Sequence, residues 1–137
     1  RNAAGQIGIT IDLVDPVKVP IVIDYEFDSD IKQIACGYEH TLILTTKGNV
    51  YGSGCNTNNQ LSNKYIGTSD RIRIEKIIDT NDIIHIGCCE SMSFILSNKN
   101  TLQWFGYNFS MASDIEMIRN LTVSDVIHFS CGYNHMG

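Results

Sequence analysis

The 137 residues carry a formal net charge of −5, with only 18% of them charged. A chain of this length builds one small domain around one modest core. With no basic stripe to neutralise phosphates, direct nucleic-acid binding is not expected. No apolar run approaches the roughly 18 residues that cross a bilayer, so no membrane segment is expected.

In chain order, residues 1–8 read as a turn-rich loop with Gly5 and Gly8 free to take positive φ. Ile9 to Val14 reads as a short strand or a loop, and Pro16 and Pro20 mark an edge or a break. Asp24 to Asp30 is acidic and reads as a solvated surface connection, one that would favour a basic partner. Ile31 to Ala35 begins the first full repeat, with Ile31 and Ile34 as its apolar pegs, and His40 to Thr45 reads as a strand. Thr46-Lys47-Gly48-Asn49 reads as a hairpin turn, and Val50 to Gly52 as the returning strand. Gly52 and Gly54 suggest close backbone packing, as near a propeller axis. Arg71-Ile72-Arg73-Ile74-Glu75 alternates strictly, which predicts a half-buried outer strand.

The pattern then recurs. Asp82 to Ile86 matches Asp30 to Ile34, and Met92 to Leu96 matches His40 to Leu44. Asn98-Lys99-Asn100 replaces the glycine turn, since Asn tolerates left-handed geometry. Residues 109–124 read as one helical turn or as an interrupted outer strand, and Asp125 to Phe129 opens a third unit. Short strands repeating at this period predict an all-β fold, a β-propeller segment of about two to three four-stranded blades. The expected division is a partial blade over 1–30, repeats over 31–81 and 82–124, and the start of another over 125–137. So few blades cannot close a ring or cover both faces. A fragment of a larger propeller, or a chain covered by another subunit, is therefore expected.

Ile34-Ala35-Cys36-Gly37-Tyr38-Glu39-His40-Thr41-Leu42-Ile43-Leu44 resembles the RCC1-like (regulator of chromosome condensation) repeat family. Gly54-Cys55-Asn56-Thr57-Asn58-Asn59-Gln60-Leu61 is similar to the family's next element, and Asn2-Ala3-Ala4-Gly5-Gln6-Ile7-Gly8 carries the same ending. Cys89 stands where that family has Gly, and Met92 where it has His. The resemblance implies a seven-bladed propeller when complete. Its founding member is a nuclear exchange factor that releases guanine nucleotide from a small GTPase and binds nucleosomes, while other members are interaction scaffolds. An intracellular protein-binding scaffold is the expected role, with part of an exchange factor for a Ran-like or Rho-like GTPase as the alternative.

The resemblance places Tyr38, Glu39 and His40 on one propeller face as surface-facing partner-binding candidates. Glu90 matches Tyr38, and His135 occupies the same position as His40. A structural role for the histidines, bonding backbone near the inner turn, competes with that reading. No catalytic constellation and no cofactor is expected: the chain has neither a Gly-x-Ser-x-Gly elbow nor a phosphate-binding glycine loop. Cys36/His40 and Cys131/His135 are four apart, but the repeat explains that spacing and puts the pairs in separate blades, so no metal is expected. Of the five cysteines, the three at equivalent repeat positions, Cys36, Cys88 and Cys131, read as small buried hydrophobes, and a reducing compartment is expected. Tyr51, Trp104, Phe105 and Phe129 are expected to fill space between blades, and Tyr65, Tyr107 and Phe109 to offer a binding patch.

Overall fold

Strands form where apolar side chains alternate between Gly- and Asn-marked turns. The computed structural model describes residues 5–8, 20–61, 72–106, 118–122 and 129, with Ile72 and 118–122 described by backbone alone. Eight strands lie in this region: β1 (Ile31–Cys36), β2 (His40–Thr45), β3 (Val50–Gly54), β4 (Ile72–Ile78), β5 (Ile83–Cys89), β6 (Met92–Ser97), β7 (Thr101–Gly106) and β8 (Ile118–Thr122). They make two antiparallel four-stranded sheets, ordered β1-β2-β3-β4 and β5-β6-β7-β8. The fold is all-β, an open set of propeller blades. Of the two readings of 109–124, the strand is the one that forms over 118–122.

The two sheets repeat each other down to their irregularities. The register slips between Ile31 and Gln33 in the first sheet and between Ile83 and His85 in the second. Each slip is a bulge, and it brings positions three apart onto one face. Gly48 (φ 82°) and Asn100 (φ 57°) hold the left-handed position of the two matching hairpins. Gly54 (φ 109°) and Gly106 (φ 103°) match as well. A Cβ at either would collide with a backbone carbonyl, that of Glu39 or of Ser91. These glycines press on the turns of their own blades. Gly52 likewise faces Leu61 and Ile77. The close packing expected at these glycines is thus made with the β1–β2 turn, β4 and Leu61, and at Gly54 also with Gln6.

The main core lies between the sheets. Leu42, Leu44 and Val50 of the first meet Ile83, Ile86 and Cys88 of the second, together with Leu61, Ile95 and Phe105. A second cluster on the far side of the second sheet holds Cys89, Phe94, Leu96, Leu102 and Phe129, with Trp104 against it. Phe105 thus fills space between the two sheets as expected, while Trp104 and Phe129 pack together on the far side of the second sheet. Tyr51 instead packs with Ile43, Ile74 and Phe27 on the opposite face of the first sheet. Cys55, Cys88 and Cys89 are buried, but Cys36 is exposed because it lies on the open side of β1.

The acidic stretch 24–30 is not merely solvated. Phe27 and Tyr25 stack edge-on against Tyr51, at centroid distances of 5.1 and 5.8 Å. Asn49 Nδ2 donates to Asp28 Oδ2 at 2.6 Å, and Lys76 Nζ pairs with the same oxygen at 2.9 Å. Loss of water around Asp28 opposes ionisation, but hydrogen bonds from Asn49, Lys76 and Thr45 outweigh it and hold the carboxyl well below its ordinary range. Hydrogen bonds to Asp28 and then Asp79 push the Lys76 ammonium upward. Asn49 also gives Nδ2 to Asn81 Oδ1 at 2.9 Å and accepts from Asn81 N–H at 3.0 Å, tying this stretch to the link between the sheets.

Gly54→Ala is expected to destabilise the chain by about 1–3 kcal/mol, since it adds both an unfavourable φ and a collision. Urea unfolding followed by tryptophan fluorescence measures this. An unchanged midpoint would mean that the turn yields.

Candidate functional site

The turn between β1 and β2 projects Tyr38, which is 71% exposed, with half-buried Glu39 beside it. The matching turn between β5 and β6 projects half-buried Glu90. The two turns touch: Tyr38 N–H donates to the Glu90 carbonyl at 2.9 Å. Glu90 adopts φ 36°, a left-handed conformation that a side chain rarely takes, so this turn is held under strain. Tyr38, Glu39 and Glu90 therefore form one continuous rim from adjacent sheets. His135 lies outside the described residues, as do Tyr65, Tyr107, Phe109, Cys131 and the second Gly-His turn.

His40 does not join that rim. It is 1% exposed, which corrects its expected surface-facing position. Its Nε2 lies 3.0 Å from Ser93 Oγ in the second sheet, and Ser93 Oγ donates to the Gln60 carbonyl at 2.6 Å. A hydroxyl has one proton, and Gln60 takes it. Ser93 Oγ must then accept from Nε2–H, which puts a proton on Nε2; burial keeps the ring neutral, so Nδ1 is the bare nitrogen. That Nδ1 is buried without a hydrogen-bond partner among the described residues. Burial depresses the imidazole to about 4, against a smaller opposing pull from the Met92 backbone. His40 therefore serves the joint between the sheets.

The ring also explains Gly37. A Cβ there would collide with His40 Cε1 and Nδ1 and sit 2.8 Å from the Glu90 carbonyl. In the second sheet Met92 replaces the histidine and Cys89 replaces the glycine. Without a ring folded back onto the strand, a side chain fits. The same crowding gives a physical reason for the two departures to occur together.

Further contacts line the same joint. Gln33 Nε2 donates to the Ile86 carbonyl at 2.8 Å while Gln33 Oε1 accepts from Ile86 N–H at 3.0 Å. The carboxamide acts as a one-residue strand on the edge of β5. Lys32 Nζ donates to the Ile84 carbonyl at 3.1 Å, and Cys88 Sγ to the Ala35 carbonyl at 3.6 Å. Sequence reasoning missed Gln33, Ser93 and Gln60. The one available signal was that Gln33 and His85 share a repeat position. Among the described residues no group of three or more His, Cys, Asp or Glu side chains is placed to hold a metal. Cys36 faces the open side while His40 turns to the second sheet.

The profile of the regulator of chromosome condensation (RCC1) repeat matches residues 31–60. The ultraviolet-B receptor UVR8 of Arabidopsis thaliana is 36% identical over 80 residues, which span 57% of this chain and 17% of that protein. An RCC1-like G exchanging factor-like protein of Mus musculus is 23% identical over 69% of this chain and 22% of its own length. The crystal structure of Prp20p from Saccharomyces cerevisiae, described with its binding properties to Gsp1p and histones, superposes with a TM-score of 0.75 at 16% identity. That superposition covers 96% of this chain and 36% of Prp20p. Residues 31–60 carry the RCC1 repeat, and the chain is similar to RCC1-like repeat proteins over more of its length. It spans less than a quarter of the two curated relatives named here.

Two outcomes follow for this RCC1-like joint. Gly37→Ala alone should lower the urea midpoint, and adding His40→Met should restore part of the loss; additive losses would show that the two positions are not coupled. Stability should also fall on acidification. His40 is held below its ordinary 6.5 at about 4, so the unfolded chain binds more protons between those values. Its contribution is complete above about pH 6.5 and declines toward pH 4, by at most about 1.4 kcal/mol per pH unit. His40→Gln should flatten the urea-midpoint profile in that window, and an unchanged slope would rule the histidine out as its source.

Proposed function

We propose that this chain is part of a propeller that binds a protein partner, and that the partner is a small GTPase of Ran-like or Rho-like type whose nucleotide release it promotes. The observation that carries this is the continuous rim of Tyr38, Glu39 and Glu90, where the turns of adjacent blades meet through the Tyr38–Glu90 bond. Support comes from the relatives, which include a protein named as exchanging-factor-like and one described with its binding to Gsp1p. An exposed aromatic flanked by carboxylates suits a partner surface with a basic rim around an apolar pocket. The role assigned to the rim is to push on the GTPase and loosen its nucleotide, with no proton transfer. The setting is intracellular, in cytoplasm or nucleus, and the role needs no cofactor. Contact with the histone component of chromatin is not part of this reading.

A second reading, a scaffold without exchange activity, is favoured by the higher identity to UVR8, which is named as a receptor. One experiment separates the two. The native protein is added to purified Ran-like and Rho-like GTPases carrying a fluorescent nucleotide. Accelerated release, reduced at least about tenfold by Tyr38→Ala, supports the exchange reading. A stable complex with no change in release leaves the scaffold reading in its place. Absence of any complex contradicts both.

A further inference from the structure

Away from the rim and the joint, one hydroxyl sits between an ionised carboxylate and a lysine. Ser29 Oγ donates to Asp28 Oδ1 at 3.3 Å and accepts from Lys47 N–H at 3.1 Å. It thereby ties the acidic stretch 24–30 to the hairpin between β2 and β3. Lys47 is exposed, and its ammonium makes no ion pair among the described residues.

The carboxylate beside Ser29 holds a clasp. Asp28 Oδ2 takes Asn49 Nδ2 and Lys76 Nζ, and the Tyr51 hydroxyl accepts from Asp28 N–H at 3.2 Å. Asn49 passes the tie on to Asn81, and Lys76 also reaches Asp79 Oδ1 at 3.2 Å. Lys76 is thus shared between two carboxylates and has no charge to spare for a third anion. The Asp28 carboxyl is held well below its ordinary range. Negative charge added at Ser29 is therefore not relieved by a proton taken up at Asp28.

Ser29 is also within reach of a modifying enzyme. It is half-buried, and Asp24, Glu26 and Asp30 near it are exposed. Residues 20–30 join no strand, and apart from the clasp their backbone is tied where Thr46 N–H donates to the Asp30 carbonyl at 2.8 Å. A segment without ladder bonds can be drawn out as an extended peptide into a groove. The carboxylates at 24, 26, 28 and 30 suit a groove lined with lysine and arginine.

We propose that Ser29 is a phosphorylation site for a protein kinase with a basic substrate groove, and that the phosphoryl group opens the clasp at Asp28. In the transfer, Ser29 Oγ bonds to the γ-phosphorus of a nucleoside triphosphate. The bond from that phosphorus to the bridging oxygen breaks, and nucleoside diphosphate leaves. The hydroxyl proton passes to a carboxylate of the kinase. The product carries a charge of about −1.5 to −2 at neutral pH. Ser29 then has no proton to give Asp28, and its phosphate stands against the carboxylates of Asp28 and Asp30. Lys47 draws the phosphate toward the hairpin but offsets only part of its charge. Phe27 and Tyr25 lift from Tyr51 with the backbone that carries them. The switch operates whatever partner binds the rim.

The native protein is treated with phosphatase, then with an acid-directed serine kinase and ATP, and its peptides are read by mass spectrometry. Phosphate should appear on Ser29 and be absent at that position from Ser29→Ala. Hydrogen exchange at the Asp28 and Asn81 amides should then quicken at least about tenfold, while the Ile86 amide keeps its rate. In Asp28→Asn the clasp lacks its carboxylate, so the same phosphate should change those rates by less than about twofold. Failure of the kinase to modify Ser29 overturns the site. Phosphate on Ser29 with unchanged exchange overturns the opening of the clasp. Quickening of equal size in Asp28→Asn overturns repulsion at Asp28 as its cause.

Discussion

The Ser93 hydroxyl has a single proton, and where that proton goes orders the joint between the sheets. Given to the Gln60 carbonyl, it leaves the oxygen to accept from His40 Nε2–H, and burial keeps that imidazole neutral with Nδ1 bare. This sets the depth of His40, and the depth of His40 requires glycine at position 37. The turn that presents Tyr38 is therefore shaped from below. The exposed rim above it depends on a buried contact.

Around that hydrogen-bond chain, interchangeable side chains fill repeat positions whose geometry is constant. Gln33 and His85 both reach the next inner strand, one with a carboxamide and one with an imidazole. Thr41 and Ser93 both give a hydroxyl proton to a loop carbonyl. Where the ring is replaced by Met92, the glycine becomes Cys89. Sequence divergence between the two sheets thus coexists with matching registers, bulges and turns.

Strand positions were legible because period-2 alternation and left-handed turn residues are local signals, as at Arg73–Glu75 and at Gly48 and Asn100. The joint was not. His40 and Ser93 lie 53 residues apart in sequence, and their contact exists only once the sheets are stacked. The same reason hid the role of 24–30. Its carboxylates read as a solvated loop, but Asp28 is claimed by Asn49 and Lys76, and Phe27 by Tyr51. Cys36 was read as buried from its small-residue neighbours, but burial at that position depends on a neighbouring sheet. Of the candidate site, Tyr38, Glu39 and Glu90 came from repeat matching, and the structure joins them at one rim. His40 came from the same matching, and its side chain points the other way.

The account stands most directly on the tautomer of one imidazole. Nitrogen-15 NMR of the native protein, labelled at histidine, reads both ring nitrogens of His40. A proton fixed on Nε2 and a bare Nδ1, with neither signal moving as the pH falls from about 8 to about 5.5, is the predicted result. A ring that titrates near its ordinary 6.5, or one protonated at Nδ1, would contradict the hydrogen-bond chain and with it the buried support of the rim.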